Sequence, residues 1–194
     1  KTSRGLDVQL APILDIDLAP GRQRLVLDAG SRAGATVGQS VIDAGGLMGQ
    51  IIEATPSHST VLLLTDPLSR VPVIVERTGQ AGLAVGRNLP TLLLTDRIGP
   101  ELALVAGDRI VTSGDGGVYP PGVPVGVVVD PRADGPVIRL ATSPLGGGFV
   151  TVESGWLPIP DTQPQGPVFD APVPVEARTR GAPPPRLRTS EPPA

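Results

Sequence analysis

The 194 residues carry 16 basic and 19 acidic side chains, a net charge of −3, no cysteine and a single histidine. That excludes disulfides, thiol nucleophiles, thiolate metal centres and multi-histidine metal sites, and it argues against an electrostatic nucleic-acid binder. Glycine and proline together make up about a quarter of the chain, while Tyr119, Phe149, Trp156 and Phe169 are its only aromatic residues, so any core must be aliphatic.

Period 2 dominates from the start. Val8, Leu10, Leu14, Ile16 and Leu18 alternate with polar positions that include Asp7, Gln9, Asp15 and Asp17, which predicts a half-buried strand with the even positions facing inward. Pro12 lacks a ladder donor and marks an edge or a bulge. Further strands are predicted at 25–28, 40–43, 49–54, 61–65, 71–77, 92–95, 109–112, 125–130, 137–141 and 149–153. Turn residues fill nearly every gap, as in Gly45-Gly46, Ser113-Gly114-Asp115-Gly116-Gly117 and Pro120-Pro121-Gly122. The best helical window, Pro100 to Ala106, is one or two turns long. Short strands spaced about ten residues apart indicate an all-β barrel or sandwich.

An internal echo suggests two β-units in tandem. Leu62-Leu63-Leu64-Thr65-Asp66 recurs as Leu92-Leu93-Leu94-Thr95-Asp96, and residues 37–42 resemble 106–111, each followed by a strand opening on glycine, Gly49 or Gly126. The expected fold is therefore all-β, two small β-barrel-like domains in tandem. The first spans 1–76 and is open to taking strands from 137–156 as well; the second spans 77–156. Eleven of the 24 prolines fall in residues 157–194, so a Pro-rich disordered tail is expected there. It reads as a solvated spacer, or alternatively as a polyproline II ligand. No stretch approaches the ~20 apolar residues of a membrane-spanning helix. The first residue is Lys1, which suggests a processed product or a fragment of a longer protein.

Chemical motifs are sparse. His58, Asp66 or Asp96, and Ser113 follow the order of a chymotrypsin-like triad, but the serine precedes the Gly-Asp pair of its turn instead of following it. Asp15 and Asp17 share a strand face and read as solvated carboxylates. The only lysine is Lys1, so no phosphate-binding P-loop exists. No catalytic, metal or cofactor-binding residue is assigned.

The segment Gly107-Asp108-Arg109-Ile110-Val111-Thr112-Ser113-Gly114, with Val118-Tyr119-Pro120-Pro121-Gly122-Val123-Pro124-Val125-Gly126 after it, resembles the signature of the bacterial rod shape-determining MreC family. Upstream pieces fit the same pattern, among them Asp28-Ala29-Gly30, Gly46-Leu47-Met48-Gly49, Leu64-Thr65-Asp66 and Arg77-Thr78-Gly79. The resemblance covers roughly 25–152, with Tyr119 where Phe is more usual and Met48-Gly49-Gln50 where Val-Gly-Arg is common. It implies a non-enzymatic periplasmic scaffold of the cell-elongation machinery for peptidoglycan synthesis, anchored through an N-terminal membrane helix and coiled coil. The implied partners are itself, as dimer or filament, the elongation transpeptidase, and the MreD, MreB and RodA complex. No cofactor, nucleic acid or direct membrane contact of this portion is expected. The rival readings are a serine hydrolase, degenerate or active, and a generic cell-wall-binding β-domain.

Within the motif, Gly107, Asp108, Thr112, Ser113, Gly114, Pro120, Gly122, Val125 and Gly126 read as mainly structural. Asp108 is expected to accept backbone N–H bonds and fix a turn. Val118 and Tyr119 sit on a proline-braced loop, as a contact site or as a plug in a barrel end. Val73, Ile74 and Val75 place apolar side chains on both strand faces, which marks either an association edge or a strand covered on both sides.

Overall fold

The computed structural model describes residues 8–98, 102–132, 135–143, 145 and 148–153. Twelve strands follow one another: β1 (Val8–Ala19), β2 (Arg22–Leu27), β3 (Ser40–Ile42), β4 (Leu47–Ala54), β5 (Ser59–Leu63), β6 (Arg70–Val75), β7 (Ala81–Leu89), β8 (Thr91–Ile98), β9 (Arg109–Thr112), β10 (Pro124–Asp130), β11 (Val137–Leu140) and β12 (Phe149–Glu153). They close into two antiparallel six-stranded barrels, β1-β12-β3-β4-β5-β2 and β10-β11-β8-β7-β6-β9. The chain crosses from the first barrel to the second between Leu63 and Arg70, ahead of residue 76, and β12 returns to complete the first. The tail at 157–194 lies outside the described residues.

Both barrels share one winding. Taken in the order β12, β1, β2, β3, β4, β5, the first barrel reproduces every pairing that β6 to β11 make in the second. The irregularities coincide too: the bulge between Ile51 and Glu53 in β4 matches that between Val128 and Asp130 in β10. Gly49 and Gly126 occupy the same station, where a Cβ would run into the carbonyl of Leu62 or of Arg139 on the facing strand. The echo of 37–42 in 106–111 therefore joins true counterparts, β3 and β9. The leucine echo does not, because β5 corresponds to β11 and not to β8.

Inward-facing aliphatic residues fill each barrel. Leu25, Leu27, Val41, Ile51, Val61 and Val152 pack the first; Val71, Val73, Val75, Leu92, Ile110 and Ile138 pack the second. The alternation proposed for β1 holds only in part. A bulge between Ile13 and Asp15 shifts its register, so Ala11, Ile13 and Ile16 turn to the core while Leu10 stays 66% exposed and Leu14 half exposed. One strand went unanticipated: β7 carries Gly82, Gly86, Arg87 and Asn88, which dilute the apolar period. Gly86 is required because a Cβ there would strike the Asp66 carbonyl in the crossing segment. No helix forms over 102–106; residues 100 and 101 are outside the described set.

Candidate functional site

The family motif builds a braced loop at one end of the second barrel. Gly107, at φ +96°, donates its N–H to Val128 O at 2.8 Å, and Val128 N returns a bond to Asp108 O at 2.9 Å. The buried Asp108 carboxylate accepts the Val105 N–H at 2.9 Å, as the turn reading expected. It also holds Arg77, through Nε at 2.6 Å and Nη2 at 2.8 Å. That hydrogen bond from Arg77 keeps the Asp108 carboxyl below its ordinary pKa against the opposing effect of burial. The first barrel repeats the device with a neutral side chain: Gln39 Oε1 accepts the Thr36 N–H at 2.7 Å, and Gly38 N donates to Ile51 O at 2.9 Å.

Thr112 pins the far side of the loop. Fully buried, its hydroxyl donates to Pro120 O at 2.5 Å and accepts the Val123 N–H at 2.8 Å, while its carbonyl takes Gly122 N at 2.9 Å. Ser113 Oγ accepts the Asp115 N–H at 3.1 Å, and Gly114 packs against Pro121. Val125 is core and Gly126 is the close-approach glycine described above.

The proposed contact residues are placed differently from the exposed arrangement. Tyr119 is only 5% exposed and belongs to the core of the second barrel, where burial pushes its phenol up to about 12. The ring packs in that core and does not protrude from the loop. Val73 and Val75 are fully buried, and β6 pairs with β7 on one side and β9 on the other, so it is no free edge. Ile74 faces outward and is half buried. Val118 packs partly buried on the same core, and its carbonyl accepts Ser40 Oγ from the first barrel at 3.2 Å.

Among the described residues no hydrogen bond joins His58 to Asp66, Asp96 or Ser113, and the Asp96 carboxylate accepts the Thr95 hydroxyl at 3.1 Å. His58 lies in an exposed turn with Nδ1 2.8 Å from Ser57 Oγ. Asp66 is wholly buried and committed to the Gln23 N–H at 2.8 Å, the Leu68 N–H at 2.8 Å and Arg24 Nη1 at 2.5 Å. It anchors the crossing segment to β2. Of the acidic pair on β1, Asp17 faces Arg22 at 3.5 Å and Asp15 caps the Ile16 N–H. Among the described residues no group of three or more acidic or histidine side chains is placed to hold a metal.

Sequence reasoning missed the junction of the two barrels. Leu47 and Ile42 of the first barrel pack on the core of the second. The Thr142 hydroxyl bonds to Asp43, and Asn88 accepts Gly21 N at 3.0 Å while donating its own N–H to Thr65 O at 2.9 Å. Beside these bonds a groove of about 420 Å³ opens between the barrels, walled by Leu18 and Gln23 on one side and by Leu89, Pro90, Arg139 and Leu140 on the other. Its residues are too far apart in sequence for any local pattern to join them.

These features define a class: a paired β-barrel protein with matched windings, a bonded junction and a braced glycine-proline loop. The family described as rod shape-determining protein MreC, barrel core, matches residues 13–145. The chain belongs to that family. The cell shape-determining protein MreC of Cereibacter sphaeroides is 42% identical over 139 residues, 70% of this chain but 45% of that protein. The chain thus spans less than half the length of this curated relative. Crystalline MreC from Pseudomonas aeruginosa is 33% identical with a TM-score of 0.65, over 75% of this chain and 98% of that one. Two more distant structures share the fold. One is the major periplasmic domain from the cell shape-determining filament MreC, at 22% identity and TM-score 0.68, covering 77% of this chain and 99% of that one. The other is a complex between a penicillin-binding protein and MreC from Helicobacter pylori, at 17% identity and TM-score 0.55, covering 75% of this chain and 98% of that one.

Proposed function

We propose that this chain is the periplasmic portion of a shape-determining scaffold, which binds the transpeptidase of the cell-elongation machinery and associates with further copies of itself. Family membership across both barrels carries the reading. The Helicobacter pylori complex with a penicillin-binding protein and the filament named for the periplasmic-domain structure support the choice of partners. A scaffold acts without catalysis, in keeping with a serine, histidine and aspartate that each serve a different local bond. In the full-length protein an N-terminal helix would anchor the scaffold in the inner membrane and bring it to the MreD, MreB and RodA complex.

The test uses the purified chain immobilised and titrated with the periplasmic part of the organism's elongation transpeptidase. Saturable binding in a roughly micromolar range is expected for an interface of modest size. No binding at roughly a hundred times that concentration overturns the partner assignment. Fluorophosphonate labelling that Ser113→Ala abolishes would overturn the purely scaffolding role.

A further inference from the structure

The groove between the barrels has the composition of a ligand site, and its volume of about 420 Å³ lies in the range such sites occupy. Nearly all of its polar lining is already engaged. Gln23 Nε2 donates to the carbonyls of Leu18 and Ala19, both at 3.1 Å, and Gln23 Oε1 accepts the Thr65 hydroxyl at 3.3 Å. Asn88 Oδ1 holds Gly21, the Thr142 hydroxyl is bonded to Asp43, and Ser143 Oγ accepts the Leu145 N–H at 3.4 Å. Such a floor asks nothing of a polar ligand.

Two features are left over. Leu18, Leu89, Pro90 and Leu140 offer apolar surface, with Leu18 40% and Leu89 46% exposed. Arg139 lines the same groove, and among the described residues its guanidinium has neither an acidic nor a hydrogen-bonding partner. Arg139 is exposed on the groove's wall, and a guanidinium there can meet a carboxylate with two parallel bonds. The lining has no aromatic platform for a sugar ring, and one cation is too few for a nucleic-acid backbone. The apolar side chains come from separate strands, Leu18 from β1, Leu89 from β7 and Leu140 from β11, which suits side chains spaced along a backbone better than a continuous acyl chain.

We propose that this groove is a docking site for an extended peptide segment of a partner protein, one that carries aliphatic or proline side chains and a carboxylate received by Arg139. The proposal names a site and a ligand chemistry beyond the scaffold reading. It is tested without the transpeptidase, so its failure and the failure of that reading are told apart.

The experiment titrates the ¹⁵N-labelled chain with the capped hexapeptide Ala-Leu-Pro-Leu-Glu-Ala and with its Glu-to-Gln analogue, following amide shifts by NMR. The expected result is a localised set of shifts at Leu89, Leu140 and Thr142, with a dissociation constant of roughly 0.1–1 mM for the acidic peptide. Arg139→Gln should weaken that peptide by about tenfold and leave the neutral analogue unchanged. Leu89→Ser, at an exposed position, should weaken both. Equal affinity for the two peptides, or no shift in the groove at millimolar peptide, overturns the proposal. So do groove shifts produced by decanoate when the peptides produce none, which would make it a lipid site. The same shifts on raising the protein concentration alone would make it a contact between copies and equally overturn it.

Discussion

Removing the Asp66 carboxylate should destabilise the molecule more than any other single change at the junction. Asp66 is fully buried, and the Arg24 side chain it holds is 17% exposed. Asp66→Ala leaves that guanidinium without its counter-charge, a loss of about 3–5 kcal/mol for a broken buried pair. It also orphans the N–H of buried Gln23, which adds about 1–2 kcal/mol. Leu68 is exposed, so its freed N–H reaches water at little further cost. The expected total of about 4–7 kcal/mol is a large share of a typical domain stability of about 5–15 kcal/mol. Urea unfolding followed by circular dichroism should show the midpoint falling by about 2 M. Asp66→Asn keeps one acceptor oxygen, enough for one of the two N–H groups that now bond to separate oxygens, and should lose less than Asp66→Ala. Adding Arg24→Met to Asp66→Ala should recover most of the deficit, because the stranded charge goes with it. A midpoint within about 0.5 M of the parent for Asp66→Ala would refute this account of the junction.

Three further outcomes are expected. Asp108 titrates below the ordinary carboxylate range when folded, so the stability it contributes is complete above about pH 4 and is lost as pH falls through the lowered value; urea midpoints from pH 7 to pH 3 should therefore fall less steeply in Asp108→Asn than in the parent. Tyr119 titrates at about 12 when folded, so stability should be flat up to about pH 10 and decline above it as the unfolded phenol ionises first. Its tyrosinate absorbance should rise only near that upper value, and a rise near pH 10 in the folded protein would show the ring to be solvated. Gly126→Ala and Gly49→Ala place a Cβ against a facing carbonyl at matched stations; each should cost upwards of about 2 kcal/mol, by equilibrium unfolding, and a large difference between the two would argue against the equivalence of the barrels.

Much of the architecture was legible because closed barrels of short strands keep period 2 and punctuate it with glycine and proline. β9 and β12 are found at the residues where their alternation begins and ends. The failures have local causes. β7 was masked by its glycines, of which Gly86 lets it pass close to the crossing segment and Gly82 close to β8. The inward face of β1 was misassigned because the bulge, which Pro12 signals only as a choice between an edge and a bulge, lies between Ile13 and Asp15 and exchanges the two faces there. Tyr119 stands in a loop whose prolines suggested a protrusion, yet an aromatic-poor core draws in the one large ring within reach. The turn role of Asp108 was readable from Gly-Asp before a strand; its partner Arg77, 31 residues upstream, was not. The groove at Arg139 was invisible for the same reason of sequence distance.

The late return of β12 orders the assembly of the molecule in time. The second barrel is built from one uninterrupted run, residues 70–140, and all its pairings are available once that run has been synthesised. The first barrel is a wrapper around that insert. Until residues 149–153 emerge, β1 and β3 each present an unpaired edge, open to a neighbouring chain. During synthesis the inner barrel can therefore mature first and act as a tether, bringing β12 back to a gap roughly a hundred residues behind it in the chain and shortening the effective loop to be closed. A nascent chain stalled before Phe149 would hold one finished barrel and one open sheet, which makes the arrival of five residues the event that separates an aggregation-prone intermediate from the native protein.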